Sequence, residues 1–408
     1  MGELQIDVDA AEVGLDPGRL ARIDRHFAQY VDDGRLAGYL VAVARHGRLA
    51  HLSTYGQRDR EAGLPVEVDT LWRMYSMTKP VTSVAALMLC EEGALELKDP
   101  IHLYLPAWSE PRVYRGGAGA GMATRPAVEP IRVWHLLTHT AGLTYGFHHA
   151  HPVDARYRAA GFEWGSPPDL DLAGVCDAYA RMPLLFDPGA EWNYSVATDV
   201  LGRLVEVISG QSLDRFFAER IFGPLGMTDA GFFVEEARAD RLAALYGPDR
   251  DGRATPMGGR AVLRPPVCLS GGGGMVAAAR DYHRFMDMLR RRGELEGVRL
   301  LSPRTVDYMV SNHLPGHADL AAFGRPLYAE SAFDGVGFGL GFAVTIDPVK
   351  AKVVSSPGEY NWGGAASTTF WVDPVEDLTV QFLTQLLPSS THPIRPQLKA
   401  LVYQALVD

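Results

Sequence analysis

The sequence predicts an α/β chain of the α+β kind: one antiparallel sheet built from both termini and flanked by helices, with a second, helix-rich lobe between. Strand-like runs bounded by turn residues gather before residue 60 and after residue 339, and helical periodicity fills the interval. Antiparallel strands distant in sequence can pair, so a single sheet drawn from both ends is the economical arrangement. The expected division is a discontinuous α/β domain, 1–75 and 290–408, around a mostly helical domain with long loops, 76–289.

Asp16-Pro17 reads as an N-cap with proline at the first helical position, and Leu20, Ile23, Phe27, Tyr30 and Val31 then share a face until Gly34 stops the helix. Tyr39 to Arg45 and Leu49 to Tyr55, joined by His46-Gly47-Arg48, form a hairpin that begins the sheet. Helical patterns follow over Ser76 to Glu92, Ile131 to His139, Ala197 to Ser209, Leu213 to Ile221 and Ala279 to Arg291. Strands resume at Phe342 to Ile346, Thr368 to Val372 and Leu378 to Thr384, separated by Asp347-Pro348 and Asp373-Pro374, and Pro396 opens a last helix. Residues 111–130 and 145–170, rich in glycine, proline, histidine and aromatics, read as long loops. Within the first, Gly117 to Gly121 lacks the strand, helix and spacing of a dinucleotide loop and reads as flexible surface.

Composition narrows the function. The chain has 408 residues, 47% hydrophobic and 22% charged, which is ordinary for a globular protein with a sizeable core. A net charge of −10 without a long basic tract argues against nucleic acid as a partner. The best apolar run, Val84 to Cys90, is far short of the ~18 residues of a membrane span, so a soluble chain without a membrane partner is expected. Glu3, Asp7, Asp9, Glu12 and Asp16 precede the first base, Arg19, unlike a secretory leader, and the chain is expected to begin at or near Met1. Met1-Gly2 is not a myristoylation signal, since Ile6 stands where Ser or Thr is wanted. Cys90, Cys176 and Cys268 lie far apart in apolar surroundings and read as small buried hydrophobes, with a reducing cytoplasm as the expected location.

Ser76-Met77-Thr78-Lys79 carries the most chemistry. A serine and a lysine three apart share a helix face, so their side chains can meet. Pro80 cannot donate to the Ser76 carbonyl, which is tolerable only near a helix start and places Ser76 at the N-terminus. There the dipole favours an alkoxide or oxyanion on Ser76 and disfavours an ammonium on Lys79. The plain alternative is a serine that merely begins a helix, beside a solvated lysine. With 17 serines and 5 lysines, chance gives roughly 0.2 such pairs, so the context has to decide. Val81, Val84, Ala85, Leu87 and Met88 make the helix nearly all apolar, and a lysine buried with it needs a partner or a lowered pKa.

The run Met74 to Lys79 resembles the active-site motif of serine beta-lactamases, penicillin-binding proteins and their esterase relatives. Further segments agree in order: His135 to Leu143, Tyr194-Ser195-Val196, Gly210 to Met227, Ser270-Gly271-Gly272-Gly273, and Trp362-Gly363-Gly364. The chain is most similar to carboxylesterases with a class C beta-lactamase fold, the family VIII esterases. That resemblance implies a beta-lactamase/transpeptidase-like fold and a serine carboxylesterase that hydrolyses small neutral esters through an acyl-enzyme on Ser76. Lys79 would keep the local charge favourable, and Tyr194 would be the base that later becomes the acid, its anion held by Lys79. The oxyanion hole would use the backbone N–H groups of Ser76 and Ala365, and Trp362, Gly363, Gly364 and Tyr145 would bind substrate. No cofactor or metal is implied, and the partner is a small-molecule ester.

Two departures bear on specificity. Val196 stands where the lactamase second motif usually ends in Asn, and Trp362 stands where the third usually begins with Lys. Losing an amide and an ammonium favours neutral esters over penicillins. Beta-lactam hydrolysis, a D-alanyl peptidase, acyl transfer to an alcohol and a non-catalytic module binding cell-wall fragments are the alternatives, the last weakened by the intact Ser76, Lys79 and Tyr194. An ordinary α/β-hydrolase would need Gly-x-Ser-x-Gly, which is missing. A metal hydrolase is suggested by His135 and His139 and by His148, His149 and His151, but Leu136 occupies the place of the catalytic Glu. Trp72, Tyr75, Phe147, Trp164 and Trp192 read equally as cleft walls or core. Bulky loops suggest short acyl chains.

Overall fold

A computed structural model describes residues 4–407, the side chains of 260 and 261 excepted. The expectations about Met1 and Gly2, and the outermost residues of the 1–75 and 290–408 domain, lie outside the described residues.

Helix α1 (Pro17–Asp32) is capped by Asp16, whose side chain accepts from the Arg19 N–H, and it buries Leu20, Ile23, Phe27 and Tyr30. Strands β1 (Gly38–Arg45) and β2 (Arg48–Asp59) form the expected hairpin. His46 and Gly47 both have positive φ, 54° and 72°, the primed turn whose twist suits a two-residue hairpin. A short β3 (Leu64–Pro65) follows, then β4 (Leu71–Arg73). Next come a 3-10 turn over Tyr75–Met77 and helix α2 (Thr78–Glu91). From the middle come α3 (Ala197–Ser209), β5 (Val276–Ala278) and α4 (Ala279–Arg290). The chain closes with β6 (Val336–Phe338), β7 (Ala343–Thr345), β8 (Tyr360–Gly363), β9 (Thr369–Asp373), β10 (Leu378–Leu383) and α5 (Ile394–Tyr403).

The main sheet has eight strands in the order β6, β7, β8, β9, β10, β1, β2, β3, each neighbouring pair antiparallel. The two ends of the chain meet where β1 pairs with β10, Leu40 opposite Leu383 and Val43 opposite Val380. Every β1 residue is buried because alternate side chains enter different cores. Val41 and Val43 pack with Phe27, Leu398 and Val402 under α1 and α5. Leu40, Ala42 and Ala44 join the large core that contains α2 and α4. A separate pair, β4 with β5, places the residues before α2 beside those before α4.

Several elements differ from the sequence reading. Residues 111–130 are a hairpin, Arg112–Gly116 against Ala123–Pro126, folded at Gly117 with φ 79°. The 145–170 stretch contains a helix, Pro152–Ala159, started by a His151 cap and a first-position proline. Trp362, in a stretch for which the sequence suggested no strand, lies within β8 opposite Phe370. No helix among the described residues is long and apolar enough to cross a membrane.

Candidate active site

Ser76 sits in the 3-10 turn that leads into α2, at the N-terminal tip as its proline spacing required. Tyr75 before it has φ 46°, an uncommon conformation for a bulky residue that the surroundings must hold. They do so with Met74 N–H donating to the Met275 carbonyl at 2.9 Å, Thr78 Oγ1 donating to the Tyr75 carbonyl at 2.6 Å and Tyr282 OH donating to the Met77 carbonyl at 2.9 Å. The nucleophile turn is thus clamped between β5 and α4.

Lys79 is 2% exposed, with Nζ 3.1 Å from Ser76 Oγ and donating to the Gly272 carbonyl at 2.7 Å. Gly272 belongs to the Ser270 to Gly274 loop, which Asp199 of α3 fastens by accepting from Ser270 Oγ at 2.6 Å and from Gly272 N–H at 3.0 Å. Thr82 adds a bond from its hydroxyl to the Gly271 carbonyl at 2.7 Å. Burial lowers the Lys79 pKa to about 8, against the opposing pull of the Asp199 and Glu330 charges. The sequence reading missed Asp199; the signal available was an acid in the first turn of a helix otherwise apolar on its inward face.

Tyr194 OH lies 2.6 Å from Ser76 Oγ, and the Lys79 ammonium position is 4.7 Å from the centre of its ring. Its backbone is held by Asn193, whose N–H reaches the His139 carbonyl at 3.0 Å and whose side chain reaches the Leu143 carbonyl at 2.9 Å, and by His148, which donates to the Tyr194 carbonyl at 2.9 Å. The His135 to Leu143 segment therefore positions the tyrosine. Burial first, then Tyr145 and Glu330, push the phenol pKa well above its usual value, with the Ser76 hydrogen bond opposing. The expectation that Lys79 holds Tyr194 as an anion is opposed by this burial. Burial penalises both charged forms, pushing the phenol pKa up and the lysine pKa down.

Ala365 lies in the turn between β8 and β9. Gly364 lets this turn press on the nucleophile segment, since a Cβ there would fall 2.4 Å from the Met74 carbonyl oxygen. Among the described residues, neither the Ser76 nor the Ala365 N–H donates to a protein acceptor.

The predicted substrate-binding residues fare unequally. Trp362 is 1% exposed and stands edge-on to Tyr194 and Phe338, with centroids 5.3 and 5.4 Å away. It backs the tyrosine, its ring carried by β8 into the core that also holds Tyr194. Gly363 makes room for Arg395, whose Nη2 would be 2.2 Å from a Cβ there, and Gly364 faces Met74, so both glycines shape the turn. Tyr145 is half-buried and edge-on to Tyr194 at 5.2 Å. It begins a stack: Phe147 lies 4.5 Å from it at 18°, and Trp164 lies 4.9 Å further at 17° and is 66% exposed. Trp72 and Trp192 are core.

The histidines have local duties. His135 bonds the Arg132 N–H, His139 meets Ser195 Oγ at 3.1 Å, His149 pairs with Glu163, and His151 caps a helix. Among the described residues, no group of three or more His, Cys, Asp or Glu side chains is placed to hold a metal ion.

An amine and a phenol converging on one buried serine hydroxyl, beside the end of β8, define a serine hydrolase. The chain belongs to the beta-lactamase family, which it matches over residues 23–404, and within the serine beta-lactamase and penicillin-binding protein superfamily it belongs with the family VIII esterases. Among similar proteins, Protein Rv1367c of Mycobacterium tuberculosis is 38% identical over 88% of each chain. Esterase EstB of Burkholderia gladioli is 33% identical over 92% of this chain and 93% of its own. The solved structure of EstCE1, "a hydrolase with promiscuous acyltransferase activity", superposes with a TM-score of 0.80 at 29% identity, covering 95% of this chain and 99% of that one. The protein is a serine hydrolase acting on small-molecule esters.

Proposed function

We propose that the protein is a carboxylesterase for small neutral esters that works through an acyl-enzyme on Ser76. The observation that carries this reading is the double contact at one oxygen, with Lys79 Nζ at 3.1 Å and Tyr194 OH at 2.6 Å from Ser76 Oγ. With its pKa near 8, the neutral Lys79 amine takes the Ser76 proton as Oγ attacks the ester carbonyl. The carbonyl oxygen, now negative, is received by the Ser76 and Ala365 N–H groups. Tyr194 gives its proton to the departing alkoxide and is reprotonated from Lys79 with the proton that Ser76 lost, so the alcohol leaves neutral and both groups return to their starting states. Water then repeats the attack, giving its proton to the amine, and Ser76 is restored as the acid departs. Tyr194 thus serves as the acid of acylation, with Lys79 as the base.

Val196 and Trp362, where an amide and an ammonium would hold a lactam, support neutral esters over penicillins. Transfer of the acyl group to an alcohol is a second reading, favoured by the activity stated for EstCE1. The division into lobes 1–75 with 290–408 and 76–289 belongs to the same proposal, supported by a sheet drawn from both ends. So does a cytoplasmic location, supported by the three free thiols Cys90, Cys176 and Cys268.

The test sets a p-nitrophenyl ester, a chromogenic cephalosporin and a D-alanyl peptide side by side, with and without an added alcohol. The ester is expected to be turned over far faster than the other two. Ser76→Ala should abolish turnover, and Lys79→Ala and Tyr194→Phe should each lower kcat by orders of magnitude. Near-normal rates in Ser76→Ala would end the proposal.

A further inference from the structure

A trans peptide is planar, so the direction of each amide N–H is fixed by where the carbonyl on the opposite side of the same peptide points. We propose that Arg395 and Thr78 are the positioning residues of the oxyanion hole, each holding the carbonyl of one of its two peptides so that the N–H faces the cleft. This rests on the reading of Ser76 and Ala365 given above.

The Ala365 N–H shares its peptide with the Gly364 carbonyl. Arg395 Nη2 donates to that carbonyl at 3.3 Å and to the Thr368 carbonyl at 3.2 Å. Ser367 N–H reaches the Gly364 oxygen at 3.0 Å, and Gly364 N–H closes the turn onto Thr368 at 2.9 Å. The guanidinium is itself fixed. Its Nη1 donates to the Glu330 carbonyl at 2.7 Å, and its Nη2 pairs with the Glu330 carboxylate, which is buried and also accepts from Tyr328 OH at 2.5 Å and Ser389 Oγ at 3.0 Å. Gly363 admits the arginine, because any side chain there would occupy its place.

The Ser76 N–H shares its peptide with the Tyr75 carbonyl, the acceptor of Thr78 Oγ1 at 2.6 Å. The Thr78 oxygen in turn accepts from Met275 N–H at 3.1 Å, which directs the hydroxyl proton at Tyr75. The two halves of the hole are therefore built alike, a side-chain donor behind each carbonyl. A donor on the carbonyl also polarises the amide and strengthens its N–H. A hole held this way needs no reorganisation when charge develops.

The experiment uses the full chain as Arg395→Lys, Thr78→Val and Thr78→Ser. Active sites are counted with a fluorophosphonate, p-nitrophenyl butyrate supplies kcat and KM, and a phenylboronic acid, whose serine adduct is tetrahedral, supplies an inhibition constant. Arg395→Lys and Thr78→Val are expected to lose at least about tenfold in kcat per titrated site and to weaken the boronate by a matching factor, with KM little changed. Thr78→Ser should rescue. If Arg395→Lys does not fold, the isosteric Thr78→Val and its serine rescue carry the test. A loss confined to the number of titratable sites or to KM, with boronate affinity intact, overturns the proposal and leaves both residues to the fold. Ala365→Pro, which has no N–H, separates the two layers. Should it keep full kcat, the hole itself is misassigned; should it lose about a hundredfold while Arg395→Lys and Thr78→Val do not, the positioning claim alone falls.

Discussion

In the proposed mechanism Lys79 sets the pH at which the site works. An ordinary lysine is charged throughout the physiological range, but burial brings this one to about 8, so roughly a tenth is neutral at pH 7. If the neutral amine is the base, kcat/KM rises with pH through a midpoint near 8 and levels above it. Asp199 and Glu330 hold that midpoint up, so Asp199→Asn, which keeps an oxygen acceptor and removes the charge, moves the rising limb to lower pH. A pH–rate profile of both proteins on one ester checks the sign; an unmoved limb would mean that another group titrates. Ser76, Lys79 and Tyr194 were legible in the sequence because each lies in a short run whose spacing or order carries the chemistry. Asp199, Thr78 and Arg395 were not. Their parts come from contacts with loops and turns that no local pattern announces, Asp199 with Gly272 and Arg395 with Gly364.

At the scale of elements, the helix starts and the paired strands were readable wherever a cap, a proline or a turn residue marked them. α1 at Asp16-Pro17 and the β1–β2 hairpin at His46-Gly47 are examples. β8 was missed because it is four residues long and ends in the glycine that makes the turn possible, so Asn361-Trp362-Gly363-Gly364 resembles a loop. The error has an energetic consequence. A tryptophan lining a cleft would change specificity on removal, whereas one packed behind Tyr194 and Phe338 leaves a cavity. Trp362→Ala should cost about 3–5 kcal/mol of stability in a denaturant titration and lower kcat through a displaced Tyr194. α3 and the Ser270 to Gly274 loop are coupled just as directly. Asp199→Ala strands the buried Gly272 amide at about 1–3 kcal/mol and releases the half-buried Ser270 hydroxyl. It also frees the carbonyl that Lys79 uses. Thermal unfolding and kcat should fall together, and a variant with normal kcat would show that the loop does not set the amine.

Across the whole molecule, the site exists only where distant stretches of chain converge: Ser76 from the turn that leads into α2, Lys79 from α2, Tyr194 from the segment before α3, Gly272 from the loop before β5, and Ala365 from the turn between β8 and β9. The same convergence gathers a row of aromatic rings beside Tyr194. Tyr145, Phe147 and Trp164 come from the middle of the chain and stack outward from Tyr194, while Tyr328, on the far side of Phe147 at 6.0 Å, comes from the stretch that leads back to the sheet. Because the outermost ring, Trp164, is largely exposed and touches none of the reacting groups, its removal should spare a substrate too small to reach it. One aromatic contact is worth about 0.5–1.5 kcal/mol, which converts to roughly two- to tenfold in binding. Trp164→Ala should therefore leave p-nitrophenyl acetate kinetics unchanged and raise KM by that factor for esters with a long acyl chain or a ring. A series of chain lengths on both proteins also tests the expected preference for short chains. If the wild-type protein prefers long chains and the preference vanishes in Trp164→Ala, the stack is the acyl wall and the loops admit more than their bulk suggests.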